Sequence, residues 1–234
     1  LGYTINETEA KFNFIHLLNN RHTLDFGISS KLYLVDPGNR NPLNSESVIE
    51  SLEIPREKGL ESAVFISDNF KLSDTFLIDA GFRLSVFSAL GPSTQRIYAE
   101  NQPRSEATLV EEQEFDANEF ITTYVGPEVR LSARYLLAPD LSIKGSFNNT
   151  FQYIHTLSNT TTVSPIDTWK LSDINIEPAR AFQYSLGLYK NLQEDMYELS
   201  LEGYYKTSDN VLDFKVGAEL LLNENIETEI LQGE

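Results

Sequence analysis

Apolar and polar positions alternate along this chain in unusually long segments, most clearly in YVGPEVRLSARYLL, Tyr124 to Leu137. Its odd positions, Val125, Pro127, Val129, Leu131, Ala133, Tyr135 and Leu137, are apolar or small. The even positions hold Tyr124, Gly126, Glu128, Arg130, Ser132 and Arg134 before Leu136 closes the segment. Successive strand side chains point to opposite faces, so the pattern predicts one greasy face and one charged face. Ordinary strands run for about 5–6 residues. A segment of this length, at about 3.3 Å per residue and a tilt near 45°, crosses a bilayer. The stretch reads as a strand of a transmembrane β-barrel.

The same alternation recurs. From Tyr3 to Ile15 a polar first half gives way to Ala10, Phe12 and Phe14 on one parity. His22 to Leu34 sets Leu24, Phe26, Ile28, Leu32 and Leu34 against Asp25, Gly27, Ser29 and Lys31. Gly59 to Lys71 and Thr75 to Phe87 follow, the second with Phe76, Ile78, Ala80, Phe82, Leu84 and Val86 opposite Asp79, Gly81, Arg83 and Ser85. Leu141 to His155 places Phe147, Phe151 and Tyr153 outward and Lys144, Ser146, Asn148 and Gln152 inward. Ala181 to Leu192 and Met196 to Lys206 complete eight strands. Asp68 and Asn149 break parity, and the pattern offers no reason for either.

Short turns alternate with long connections. Leu18–Arg21 reads as a tight turn in which Asn tolerates positive φ. Ser73-Asp74, Ala138-Pro139-Asp140 and Gln193-Glu194-Asp195 are the others. Val35–Lys58, Ser88–Thr123 and Thr156–Arg180 are the long connections, and Thr207–Glu234 reads as a further polar excursion with a short helix near Ala218–Asn223. Four hairpins with short turns at one end and long loops at the other match outer-membrane barrels. Phe70, Phe76, Tyr135 and Tyr197 near the turns, and Tyr153, Phe182, Tyr184 and Tyr205 near the loops, supply two aromatic belts. A soluble β-sandwich has neither such strands nor such loop asymmetry.

Composition narrows the chemistry. No apolar run approaches the roughly 20 residues of a membrane helix. With no initiating Met and no leader pattern, the chain reads as an internal segment of a longer protein. The absence of cysteine removes disulfides and thiolate metal sites. A net charge of −17 argues against nucleic-acid binding, which needs a basic footprint.

The segments GLESAVFISDNFKLSDTFLIDAGFRLSVFSALGP, TYVGPEVRLSARY, SNTTTVSPIDTWKLSDINIEPARAFQYSLGLYKN and YYKTSDNVLDFKVGAELLLN resemble the barrel of a TonB-dependent outer-membrane receptor of the Bacteroidetes type. The ordered set carries the resemblance, including the third long loop with Ser164-Pro165 and Trp169. It implies an all-β, antiparallel segment of about eight strands within a 22-stranded barrel. An eight-stranded closed barrel is the alternative. The whole chain, residues 1–234, is then barrel, and the plug domain and its TonB contacts lie outside it. The implied protein is integral to the bacterial outer membrane and imports a scarce extracellular ligand with TonB-coupled energy. Its neighbours are outer-membrane lipid and lipopolysaccharide, and a surface lipoprotein capping the loops is a candidate partner. A receptor-like barrel serving as a fixed subunit of a surface assembly is the second reading.

Candidate chemistry is sparse. His16, His22 and His155 lie on different hairpins and suggest no metal site. No nucleophile motif such as G-x-S-x-G appears, so neither catalytic residues nor a cofactor are expected. The inward charges Arg83, Glu128, Arg130, Arg134 and Lys144 either face ligand or plug, or are simply solvated. Glu111, Glu112, Glu114, Asp116 and Glu119 form an acidic loop. It either attracts cations, including ions bridging lipopolysaccharide, or is a solvated surface. Asn6, Asn148 and Asn159 head N-x-Thr sequons with no meaning in a bacterial outer membrane.

Overall fold

Strands that cross a bilayer must pair their backbone groups with one another, because lipid offers no hydrogen bonds. The computed structural model, which describes residues 4–40, 52–157, 168–193, 196–220 and 223–233, meets that demand with one eight-stranded sheet. Its strands are β1 (Thr4–Leu17), β2 (His22–Asp36), β3 (Glu57–Lys71), β4 (Phe76–Leu90), β5 (Phe120–Ala138), β6 (Leu141–Gln152), β7 (Ala179–Leu192) and β8 (Tyr197–Asp209). Neighbours in sequence are neighbours in the sheet, and every pair is antiparallel. β1 and β8 do not pair with each other, so the sheet is an open arc and not a closed eight-stranded barrel.

Register fixes the two faces. Phe14, Phe26, Ile66, Phe82 and Val129 stand in one cross-strand row, all exposed. A second apolar row runs from Ala80 through Leu131 and Phe147 to Tyr184 and Tyr205. On the other face the rows are polar, as in Asp25, Ser67, Gly81, Arg130, Asn148, Gln183 and Lys206. Large exposed apolar side chains in continuous rows are what a lipid-facing wall requires.

Both parity exceptions have a physical cause. Asp68 accepts a hydrogen bond from His22 Nδ1 at 2.6 Å, and that imidazole stacks on Phe70 at 4.3 Å. Asn149 sits where β6 leaves β5, just past the last paired residues, Asn148 and Arg130. Pro127 has no N–H to offer the ladder. The Asn149 amide bridges the gap, donating to Pro127 O at 2.8 Å and accepting from Val129 N at 2.8 Å.

Several expectations are corrected. The first turn uses no positive φ at Asn19 or Asn20. Asn19 Oδ1 instead accepts from the backbone N–H of Arg21 and of His22. The Ser88–Thr123 connection is shorter than expected, because Ser88 pairs with Thr123 and Ala89 with Thr122 before a bulge. β6 stops at Gln152, and Tyr153 is buried instead of outward. Phe151 packs against the same buried cluster. Residues 218–220 and 223 are not helical, and a 3₁₀ turn, Ile226–Thr228, follows them. Ser164-Pro165 and Asn159 lie outside the described residues.

Each long connection carries a short hairpin of its own. Asn39–Arg40 pairs with Leu52–Glu53, Ser93–Tyr98 with Leu109–Phe115, Ile154–Leu157 with Thr168–Leu171, and Val211–Phe214 with Ile230–Gly233. The third of these lies against β2 and β3 on the inner face. Tyr33, Val35, Phe87, Ala89, Tyr153 and Leu171 form the resulting core. Two glycines make room for it. A Cβ at Gly59 would meet the Phe87 ring at 2.7 Å, and one at Gly126 would meet Tyr153 Oη at 2.5 Å.

Two substitutions test this wall in the intact parent protein. Leu131→Arg is expected to destabilise the barrel by about 2–4 kcal/mol in urea unfolding from bilayers, whereas Arg130→Leu leaves assembly nearly intact. Equal damage from both would contradict the face assignment. Asn149→Leu, which removes both bridging hydrogen bonds, is expected to cost about 1–3 kcal/mol in the same measurement.

Candidate functional site

Four of the five sequence-selected inner charges are set in cross-strand pairs by register. Arg83 lies directly across from Glu128, and Arg134 directly across from Lys144. Arg83 Nη2 donates to Glu61 Oε1 at 2.6 Å, and its Nε lies 3.8 Å from Glu128 Oε2. Tyr33 donates to the other Glu61 oxygen at 2.8 Å. One guanidinium therefore sits between two carboxylates on the inner wall, with Glu128 only 5 % exposed. Arg83, Glu128 and Arg130 line one inner groove together with Asp25, Asp79 and Asn148. Arg134 and Lys144 line a second concavity with Tyr189 and Glu198, beside the short turn at Pro139-Asp140. The five selected residues thus occupy two patches along the wall and not one site.

The acidic loop does not converge either. Glu112 pairs with Arg96 at 3.0 Å, and Glu119 caps the turn by accepting from Asp116 N at 2.7 Å. Glu111, Glu112, Glu114, Asp116 and Glu119 are all exposed. Among the described residues no group of carboxylates and imidazoles is arranged to hold a metal ion.

The concavity with the most convergent polar groups lies at the long-loop end and was not selected from sequence. It is a cavity of about 340 Å³ between the start of β3, the Ser93–Phe115 hairpin, the segment after Thr168 and the segment around Glu227. Glu57, the first residue of β3, accepts from Lys170 Nζ at 2.5 Å and from Leu171 N at 2.7 Å. Asp173 Oδ2 lies 3.7 Å from the same ammonium, while its Oδ1 accepts from Asn175 N and Ile176 N. Burial pulls Lys170 down, but Glu57 and Asp173 outweigh it and hold the ammonium above its ordinary range. Tyr98 donates to Glu227 Oε1 at 2.9 Å, and burial with that neighbour pushes its hydroxyl up to about 12. Asn175 Nδ2 donates to Arg96 O at 3.0 Å, tying the third long loop to the second. Thr168 Oγ1 donates to Leu220 O, tying it to the C-terminal segment. Leu157, Ile176, Ile226 and Ile230 form a small apolar core beneath these contacts.

No local signal marked these residues. Glu57 and Lys170 are 113 positions apart, and each reads as one more charge in a polar loop. A single Lys inside a segment with Trp169, Leu171 and Ile176 on either side was the one available hint.

His155 reports on the docking of the third loop. Its Nε2 lies 2.9 Å from Ser172 Oγ, and burial, then Lys170, lowers its pKa to about 4. An undocked His155 takes a proton near pH 6.5, whereas the docked one stays neutral until about pH 4. Docking stability is therefore full above pH 6.5 and is lost as pH falls towards 4. Hydrogen exchange in Ile154–Leu157 and Thr168–Leu171, corrected for intrinsic rates, is expected to accelerate across that window. Phe in place of His155 should flatten the dependence, and an unchanged profile in that variant would refute this role.

Comparison with known proteins places the fold. Residues 3–230 match the family model for TonB dependent receptor-like β-barrels. Among curated proteins, no sequence matches the chain significantly. The FrpB iron transporter from Neisseria meningitidis (F3-3 variant) superposes with a TM-score of 0.57 at 13 % identity, over 90 % of this chain and 29 % of its own. The copper transporter OprC gives 0.57 at 9 % identity, over 92 % and 32 %. A double mutant of the Serratia marcescens hemophore receptor HasR, in complex with its hemophore HasA and heme, gives 0.55 at 10 % identity, over 91 % and 34 %. The chain spans about a third of the length of these structures. Its open arc, its two-faced strands and the family match over nearly all its residues agree: the chain belongs to the TonB-dependent receptor family and forms part of the β-barrel.

Proposed function

We propose that this chain is wall and mouth of an outer-membrane receptor that captures a scarce extracellular ligand and imports it with energy delivered through TonB. The observation that carries the reading is the mouth cavity, in which three long connections are locked together by Glu57–Lys170, Tyr98–Glu227 and Asn175–Arg96 O. A loop end built as one polar, cross-braced unit is suited to holding a ligand. Residues 1–234 are all barrel on this reading, and the plug domain and TonB-contacting segment lie elsewhere in the polypeptide. Arg83, Glu128, Arg130, Arg134 and Lys144 supply polar contacts for plug or passing ligand. The acidic residues Glu111, Glu112, Glu114, Asp116 and Glu119 form the solvated outer rim, next to lipopolysaccharide and to any capping lipoprotein. The protein works as a transport receptor, not an enzyme, and resides in the bacterial outer membrane. Identities of 9–13 % carry the fold of the iron, copper and hemophore systems to this chain but not their ligands.

The expected outcome in cells is a split between binding and uptake. Labelled candidate ligands should bind the intact parent with or without TonB, and accumulate in the periplasm only with it. Uptake undiminished without TonB would indicate a passive porin and overturn the reading. Replacing Ser93–Phe115 by a short linker should weaken capture at least ten-fold while the barrel still assembles, since loops tolerate such change better than strands.

A further inference from the structure

The outward rows of β7 carry a cation at their long-loop end. Arg180, the second residue of β7, shares the parity of Phe182, Tyr184, Leu186 and Leu188 and stands in register between Phe151 and Asp209. It also borders an inner concavity with Lys206 and Ser208, but its guanidinium lies over the Phe182 ring at 4.2 Å and by the Phe151 ring at 5.5 Å. Aromatic rings hold the guanidinium plane without accepting its N–H groups as an oxygen would. Its Nε is shielded from solvent and has no hydrogen-bond partner. Asp209 stands opposite, yet neither it nor any other described carboxylate lies within ion-pair distance. A buried donor without a partner is costly, and a site retains it where an acceptor arrives. The cation sits just beyond the outer aromatic belt of Phe182, Tyr184 and Tyr205, at the level of lipid headgroups.

A second feature lies below it on the same strands. Leu186 stands in register between Gly145 and Gly203, and a Cβ at Gly203 would meet nothing within 4 Å. The missing side chain opens an apolar groove of about 690 Å³, lined by Tyr184, Leu186, Leu188, Leu201, Gly203 and Tyr205. It begins at Tyr184, roughly 13 Å along the strand from Arg180.

We propose that this face of β7 and β8 binds one anionic lipid of the outer leaflet, with its phosphate on Arg180 and an acyl chain in the groove beside Gly203. The lipid is lipid A, the phosphorylated anchor of lipopolysaccharide, because the site stands at the long-loop end, which is extracellular. The inference rests on the reading of this face as the lipid-facing wall and adds a specific site on it. The guanidinium donates to the phosphate oxygens, the pairing for which its fork of N–H groups is suited. Tyr184 and Tyr205, directly across from each other and exposed, offer their hydroxyls to the headgroup. Asp209 repels the same phosphate and holds the affinity down.

The test uses the purified, delipidated full-length receptor in neutral detergent, with bound lipid counted by native mass spectrometry. Three probes are titrated: bis-phosphorylated lipid A, the same lipid without its phosphates, and phosphatidylglycerol. Saturable binding of one lipid A is expected, at least ten-fold tighter than either of the others. Arg180→Gln should weaken it about ten-fold, one charge-assisted contact's worth. Gly203→Leu, which fills the groove, should weaken it as well, and Asp209→Asn should tighten it. Heat-modifiable gel migration checks that each variant assembles. Equal binding of the phosphate-free lipid, preference for phosphatidylglycerol, or an assembled Arg180→Gln or Gly203→Leu receptor that binds as before would each overturn the proposal. The wild-type probe comparison stands even if a variant fails to assemble. Loss of the contrast between Leu131→Arg and Arg130→Leu would strike the wall reading, whereas absent lipid selectivity on an intact wall would strike this site alone.

Discussion

The constraint on which this structure depends is the absence of hydrogen-bond partners in lipid. Every backbone N–H and C=O that crosses the bilayer must find another strand. That demand explains strands of 12 to 19 residues and strictly sequential antiparallel pairing. It also explains Asn149. Where Pro127 removes a donor and β6 diverges from β5, a side-chain amide takes over the two ladder positions. An apolar residue there would satisfy the parity pattern and leave the backbone unpaired. The same demand leaves β1 and β8 needing further neighbours, in keeping with a chain that matches about a third of each related barrel.

The loop end obeys a different rule. There the connections turn inward and build two small cores, one against β2, β3 and β4 through Tyr33, Phe87 and Tyr153, the other beneath Ile176 and Ile226. Phe87 and Tyr153 stack at 4.8 Å, and Tyr153 completes the contact with Ser85 Oγ at 2.7 Å. This anchoring sets the position of Lys170 and Asp173 relative to Glu57, and so sets the electrostatics of the mouth. Fold and site are coupled through Gly59 and Gly126, whose missing side chains let those rings reach the wall.

Most of the wall was legible in the sequence, because period-two alternation over a dozen residues has few other causes. The face of Leu131 and of Phe82, the short turns at Leu18–Arg21, Ser73-Asp74 and Ala138-Pro139-Asp140, and the eight-strand count all follow from it. Glu194 and Asp195 of the fourth turn lie outside the described residues. What the pattern hid has local reasons. Thr122 and Thr123 extend β5 although they continue no greasy row, since pairing with Ala89 and Ser88 needs only backbone. Tyr153 fits outward parity, yet β6 ends one residue earlier and parity no longer applies. Asn19 suggested a left-handed turn and works as a side-chain acceptor instead. The mouth was invisible for a deeper reason. Glu57, Tyr98, Lys170 and Glu227 come from four separate stretches, and only the closure of long loops brings them together. Arg83 and Glu128 were selected by inward parity alone, and it is the register of β4 against β5 that sets them opposite each other.

The central claim is that one face of this sheet meets lipid and the other meets water, residue by residue. The chain has no cysteine, so single cysteines can be placed without background. The most direct measurement is spin-label accessibility at Arg130, Leu131, Ser132, Ala133 and Arg134 of β5, each replaced in turn by labelled cysteine in the full-length protein in bilayers. Collision rates with oxygen, which concentrates in lipid, should peak at 131 and 133, and those with a water-soluble nickel chelate at 130, 132 and 134. A flat profile, or two reagents rising and falling together, would contradict the assignment of this sheet to a transmembrane barrel wall.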